Sequence, residues 1–342
     1  MEGITMKDVA KLAGVSASTV SRVISNDSRI SNKTKKKVLK IMEELNYYPN
    51  TIARSLANNK TDTIGVIMPS YKEDIFINPF FQKALKGISL IASQHFFDIL
   101  IVTNHKEESD VDVLKRIIKG KRVDGLILTR PKEDDGGIKF LKENNVPFVL
   151  IGSCLEYDDI PSVDNDNEQA SYDLTALLIK KGRNKITFIG GELDSVVMKD
   201  RYKGYLRALK DYNIPFDEDY FISDKFLEKS GYYLTSRLMS LHNNLDAIIV
   251  ADDLMSLGAL KRLKEGEKQV PEDIMLASFN NSMLAKYANP SITSIEINSI
   301  ELGRRACQKL FDIFEEKSRE NKEIIDYKII ERESTSLKKG VN

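Results

Sequence analysis

Along the first sixty residues, apolar positions recur at three- and four-residue spacing, the period of helices that bury one face. Met6, Val9, Ala10, Leu12 and Ala13 predict a first helix, opened by a capping-box-like Thr5 and Asp8 and ended by Gly14. Ser16 caps a second helix with Val20, Val23 and Ile24 inward. Ser31 caps a third, whose Val38, Ile41, Met42 and Leu45 precede the closing Asn46 and Pro49. Asn50 can cap a short segment from Thr51 to Asn58, and the residues from Asn59 to Asp62 look like a linker. The head is therefore all-α, with a glycine turn between its first two helices.

From Thr63 the pattern changes to short apolar strands alternating with amphipathic helices, which predicts parallel sheets covered on both faces. Strands at 63–68, 97–103, 124–129 and 147–151, with helices near 80–94, 111–119 and 137–145, form one α/β unit. Strands at 185–189, 220–223, 246–251 and 274–279, with helices near 167–181, 200–212, 229–240 and 254–264, form a second. The predicted core is two doubly wound subdomains. Such sheets bind ligands at the carboxyl ends of their strands, so two facing units create a cleft.

Composition narrows the function classes. The chain has 342 residues, 42% hydrophobic and 30% charged, enough for more than one domain. Its longest apolar runs, such as 148–151 and 247–251, fall far short of the roughly 20 residues of a membrane span. The opening MEGITMKDVAK is charged throughout, so the protein is expected to stay in the cytoplasm and away from membranes. Cys154 and Cys307 have no Cys or His neighbours at ligand spacing, so neither a disulfide framework, a metal site nor any cofactor is expected. The formal charge is zero, yet residues 1–60 hold 11 Lys/Arg against 5 Asp/Glu. Taken from 51 and 51, that leaves 40 and 46 for the remainder, a basic head on an acidic body. A polyanion would be drawn to the head alone.

The head chemistry fits double-stranded DNA. In a helix-turn-helix the second helix enters the major groove by its N-terminus, which aims Ala17, Ser18 and Arg22 at base edges. Arg22 can fork onto guanine O6 and N7, Ala17 offers a methyl contact to thymine, and the Ser18 hydroxyl tolerates several bases. Thr5, Ser16, Thr19, Ser21, Asn26, Ser31, Tyr47 and Asn50 are donors suited to phosphate. An enzyme is a poor fit: Asp252 and Asp253 are adjacent at a helix start and point apart, and His95, His105 and His242 have no evident nucleophile or carboxylate partner. A plain sugar-binding protein would account for the core but leaves the basic head without a purpose.

The run TMKDVAKLAGVSASTVSRVIS from Thr5 to Ser25, then LNYYPN from Leu45 to Asn50 with Ala53, Leu56 and Ala57, closely resembles the head and hinge of the lactose-repressor (LacI/GalR) family of bacterial transcription regulators. The likeness continues through Ile64–Val66, Asn78–Phe81, Val163–Asn165, Ile189–Gly191, Arg201, Gly204 and Tyr205, Ala251–Asp253 and Phe279–Asn281. It implies a homodimer on a pseudo-palindromic operator, most simply a repressor. It also implies that 50–58 folds into a hinge helix on DNA, with Leu56 wedged into the minor groove at the operator centre. The core is then periplasmic-binding-protein-like, with a first subdomain of about 61–161 plus 292–322 and a second of about 162–291 plus 323–342.

The resemblance assigns a small effector to the cleft, contacted by Arg201, Asp252 and Asn280; the family usually has aspartate at this last position, so its contact with ligand hydroxyls is in doubt. Tyr71, Phe76 and Phe226 could stack on a sugar face near the same rim. The context of Phe76–Phe81 is similar to repressors of maltose and maltodextrin operons; a catabolite-control-type regulator working with a carrier-protein corepressor is the alternative. Tetramers are not expected, since the closing ESTSLKKGVN lacks leucine heptads, and the dimer contact is placed on the helix from Phe80 to Ser93, whose Phe81, Leu85 and Ile88 could serve either an interface or the core.

Overall fold

The computed structural model describes residues 4–24, 27–48, 60–69, 76–104, 108–317 and 320–337. Asn26, Asn50, Leu56, Tyr71 and the expected hinge helix lie outside the described residues. Two compact units divide between Thr61 and Asp62.

Among its described residues the first unit has three helices, Met6–Ala13, Ala17–Ile24 and Asn32–Glu44. Val9, Ala10, Ala13, Val20, Val23 and Val38 form its small core, with Ile41, Met42, Leu45 and Tyr47 packed around it. Gly14 takes a left-handed φ of 61° that reverses the chain at the end of the first helix, a conformation a side chain would strain. Leu12, expected inward, is 60% exposed. It lies about a third of a turn from the centre of the face carrying Val9, Ala10 and Ala13, so three- and four-residue spacing alone overcounted that face.

The second unit holds two six-stranded sheets of like order. The first is built from β1 (Thr63–Ile67), β2 (Asp98–Val102), β3 (Gly125–Leu128), β4 (Phe148–Ile151) and β5 (Ser162–Asp164). The second is built from β6 (Ile186–Gly190), β7 (Phe221–Ser223), β8 (Ala247–Val250), β9 (Met275–Phe279) and β10 (Thr293–Glu296). Two late strands, β11 (Lys322–Ile324) and β12 (Lys328–Ile330), close the edges beside β5 and β10 respectively. Only the β10–β12 pairing is antiparallel among the described strands. In each sheet the order reverses beside the first strand, β1 between β2 and β3 and β6 between β7 and β8, so each half is doubly wound as the pattern predicted.

The subdomain boundaries differ from those expected. Residues 162–164 belong to the first sheet and 293–296 to the second, so the chain crosses between subdomains just after β5, β10 and β11. The helix Ser299–Phe314 then returns to pack on the first subdomain, against the helix Pro79–Gln94 and strands β3, β4 and β5. Strands β5, β10 and β11 read SVD, TSIE and KEI, too mixed in polar and apolar residues to stand out as apolar runs. Of the two roles open to Ile88, the structure gives it the core, where it is fully buried; the outward positions near it are Leu90, 44% exposed, and beyond the helix Phe96, 91% exposed.

Candidate functional site

In the head, the helix Ala17–Ile24 turns Val20 and Val23 into the core, which leaves Ser18, Ser21 and Arg22 exposed at three- and four-residue spacing on one face. Ala17 is half-buried at its start and retains part of its methyl surface. Several hydroxyls assigned to phosphate have local duties. The Thr5 backbone N–H (2.8 Å) and hydroxyl (2.6 Å) both donate to the Asp8 carboxylate, which those bonds hold below the usual carboxylate range. Ser16 Oγ accepts the Thr19 N–H at 3.1 Å and lies 2.7 Å from Ser18 Oγ, while Ser31 Oγ accepts the Thr34 N–H at 3.2 Å. They are helix caps first, each with acceptor or donor capacity to spare. Tyr47 is half-buried against the head core.

In the second unit a cavity lies where the carboxyl ends of both sheets converge. Thr129 and Arg130 follow β3, Gly152 follows β4, Asn165 follows β5, Phe226 follows β7, Asp252 follows β8, Asn280 follows β9 and Ile297 follows β10. Arg201 enters from the helix Val196–Asp211 and is 5% exposed. Its Nε donates to Asn167 Oδ1 at 3.1 Å and its Nη1 to the Ala251 carbonyl at 2.7 Å. The guanidinium lies 4.1 Å above the ring of buried Phe279. Burial pushes Arg201 down to about 10 against the pull of Asp252, Asp164 and Asp253, so it remains a cation at neutral pH. Two bonds and a stacked ring fix the fork beside the cavity, where its N–H groups can only donate.

Asp252 is the hub of a buried network. One carboxylate oxygen accepts the Leu254 N–H at 2.7 Å, capping its helix, and the other accepts Nδ2 of Asn280 at 2.6 Å and of Asn78 at 3.1 Å. Asn78 stands on the first subdomain and Asn280 on the second, so one carboxylate oxygen ties them together. Burial and the adjacent Asp253 push Asp252 up to about 6. Asp164, also buried at the rim, is raised to about 7 by desolvation, although the Asn165 N–H (2.8 Å) and Asn167 Nδ2 (2.9 Å) both donate to it. Asp253 does not face this cavity: it accepts the hydroxyls of Ser278 and Ser294 and the Ser282 N–H (2.6 Å), a wholly structural set of partners.

Of the residues expected around an effector, the structure brings Arg201, Phe226, Asp252 and Asn280 together. Phe76 is a correction: it is 59% exposed and does not line the cavity, and its carbonyl accepts the Gln82 side chain at 2.6 Å. The aromatic wall on that side comes instead from Phe80 and Phe81, which begin the helix Pro79–Gln94. Asn78, Arg130, Asp164 and Asn167 were missed. The motif signal covered Asn78 and Asp164, but nothing in the sequence pattern distinguished a residue that caps a helix from one that also faces a cavity. Among the described residues, no group of His, Cys, Asp and Glu is arranged to hold a metal, and no helix is long and apolar enough to cross a membrane. His95 stacks on Phe311 at 3.9 Å and His242 meets Tyr220 edge-on at 4.6 Å, both packing roles.

Comparison with known proteins decides the family. Residues 5–50 match the family described as bacterial regulatory proteins, lacI family, and residues 175–335 match the periplasmic binding protein-like domain. The chain is 41% identical over 338 residues to the HTH-type transcriptional regulator MalR of Streptococcus pneumoniae serotype 4, covering 96% of this chain and 99% of that one. The chain belongs to the LacI family. It is a DNA-binding transcriptional regulator.

Two solved structures of LacI-type regulators share its fold. A lac repressor dimer bound to operator and the anti-inducer ONPF gives a TM-score of 0.85 at 26% identity over 98% of this chain and all of that one. The CelR–cellobiose complex gives 0.75 at 29% identity over 97% and 99%. Asparagine at 280 has a local reason. Its backbone is at a φ of 96°, which asparagine tolerates better than most residues, and its amide donates to Asp252, where a second carboxylate would meet a buried like charge.

Proposed function

We propose that this LacI-family regulator is a repressor of a sugar-utilisation operon, which binds a pseudo-palindromic operator as a homodimer in the cytoplasm and is switched by a sugar in the core cleft. One observation carries the reading: a buried, pre-oriented arginine fork faces a cavity walled by Phe80, Phe81 and Phe226 and edged by Asp164, Asp252 and the amides of Asn165, Asn167 and Asn280. Aromatic faces beside paired donors and acceptors suit the apolar ring faces and equatorial hydroxyls of a sugar. The CelR structure with cellobiose supports a disaccharide, and the likeness to maltose-operon repressors makes maltose the first candidate.

In the head, Arg22 and Ser18 read bases with Ala17, while Thr5, Ser16, Thr19, Ser21, Ser31 and Tyr47 serve the phosphates, and Leu56 supplies the wedge. The effector prefers one closure of the two subdomains, and the hydrogen bond that Asn78 donates across the cleft to Asp252 is broken or kept as the cleft opens or closes. The dimer contact draws on the outward surface near Leu90, Phe96 and Ile101 rather than on Ile88.

The test is operator binding by gel shift with and without maltose, cellobiose and glucose, paired with calorimetry of each sugar against the free protein. A sugar that binds by calorimetry and changes operator affinity at least tenfold supports the reading. Sugars that leave both measurements flat refute it.

A further inference from the structure

A second set of contacts crosses the cleft, apart from the Asp252 network. Arg130 stands just past β3 in the first subdomain, while Glu192 and Phe226 stand just past β6 and β7 in the second. The Arg130 side chain is 11% exposed; its Nη2 donates to the Glu192 carboxylate and lies 3.5 Å from Asp194 Oδ1. The same guanidinium sits 5.8 Å from the centre of the Phe226 ring. Beside it, Lys132 and Ser195 form an isolated antiparallel bridge, the Glu133 N–H donates to the Asp194 carbonyl at 2.9 Å, and Lys199 pairs with Glu133. The segment 130–133 is thus fastened along 192–199.

Phe226 is held from its own subdomain as well. A Cβ at Gly191 would lie 2.1 Å from the ring, so the ring rests directly on bare backbone, an approach no other residue type permits. Phe226 and Arg130 both line the cavity. One wall of the site is therefore fixed by both subdomains at once, and moving the subdomains apart would separate Arg130 from Glu192 and from the ring.

We propose that Arg130 is a positioning residue that couples stacking of the effector on Phe226 to closure of the cleft. The inference rests on the reading of this cavity as the effector site. The ion pairs at 132, 133 and 199 are a quarter to a half exposed, more than Arg130, and are screened accordingly. Arg130 differs because it is mostly buried and spends one side chain on an ion pair and a ring. A ligand resting on Phe226 gains from the backing that closure supplies, and closure gains from the ligand by the same factor.

The test uses two readouts on the full-length protein. Spin labels on Lys139→Cys and Lys229→Cys, both exposed and on different subdomains, report the distance across the cleft; native Cys154 and Cys307 are buried. Without ligand, Arg130→Gln and Glu192→Gln should each add a longer-distance population that Arg130→Lys largely removes, and unchanged distances in both variants would overturn the proposal whatever ligand the cavity takes. With maltose or cellobiose, whichever binds the wild type, Arg130→Gln should weaken binding about tenfold, and less than about twofold in a Phe226→Leu background. Equal losses in the two backgrounds would also overturn it. If neither sugar binds the wild type, the sugar reading fails, and the distances alone decide the role of Arg130.

Discussion

The two functional regions are built on opposite plans. In the head the side chains that would meet DNA are exposed or half-exposed, and their hydrogen bonds include ones between residues two or three apart, such as Ser16 with Ser18 and Thr19 or Thr5 with Asp8. In the cleft the polar groups are buried, and beside local bonds such as Asp252 with Leu254 there are bonds between residues far apart in sequence: Asn78 with Asp252 across 174 positions, Arg201 with Ala251 across 50. An exposed surface meets its ligand through screened charge, and its contacts add nearly independently. A buried network meets its ligand at low dielectric, where removing one member strands the others.

Salt separates the two plans most sharply. With four to five phosphate contacts per subunit, operator affinity should fall about 10³- to 10⁵-fold between roughly 50 and 200 mM salt. Effector affinity, measured by calorimetry over the same range, should change only a few-fold because the cavity charges are buried. If the two binding events respond alike, the contrast collapses. If a chain lacking residues 1–60 still binds operator, the head has been misread.

Arg201 probes the network. Arg201→Ala removes a charged fork and leaves Asn167 Oδ1 and the Ala251 carbonyl without their donor, at about 1.5–3 kcal/mol for each charge-assisted bond. Effector binding should weaken at least tenfold, and switching of the operator complex should disappear at wild-type effector concentrations. Arg201→Lys should recover only part, since a point charge cannot serve both acceptors and stack on Phe279. A variant that still switches normally would place the ligand elsewhere.

Arg22 probes the exposed plan. Arg22→Ala should cost about 1–3 kcal/mol per half-site and relax preference at one base pair, with effector binding untouched. Binding-site selection on randomised operators reads this directly. A uniform loss across all sequences would make Arg22 a phosphate contact.

The contrast also explains what the sequence made legible. Helix periodicity and caps are local, so Thr5, Gly14, Ser16 and Ser31 announced the head, and eight of the core strands stood out as apolar runs. Strands β5, β10, β11 and β12 each carry a polar or charged residue in three or four positions and did not. They carry the crossings between subdomains, which is why the boundaries moved. The cleft was half legible: Arg201, Phe226, Asp252 and Asn280 follow strands or open a helix, whereas Phe76 was placed by its proximity to a motif and turned outward. Arg130 carries no local signature, because what marks it is a partner 62 positions away on another sheet.

Acid should divide the two regions by sign. In the head, Asp8 and Asp27 are held below the usual carboxylate value by hydrogen bonds from Thr5 and Arg29 respectively. Their contribution is present above the unfolded value and is lost only as pH falls below about 4. In the core, burial raises Asp164 to about 7 and Asp252 to about 6, so between the ordinary value of 3.8 and these values the native state holds more protons than the unfolded one. Stability of the core should therefore fall as pH rises from about 4 to about 7 and then level off. Asp164→Asn keeps an oxygen to accept the Asn165 N–H yet cannot ionise, so it should flatten that slope and raise the melting temperature at pH 8 relative to wild type. Thermal unfolding of both proteins at about pH 5.5, 7 and 8 measures it. A wild type that melts lower at pH 5.5 than at pH 8, with Asp164→Asn unchanged from it, would mean that the rim carboxylate is solvated in the folded protein. The two regions would then differ in connectivity but not in burial.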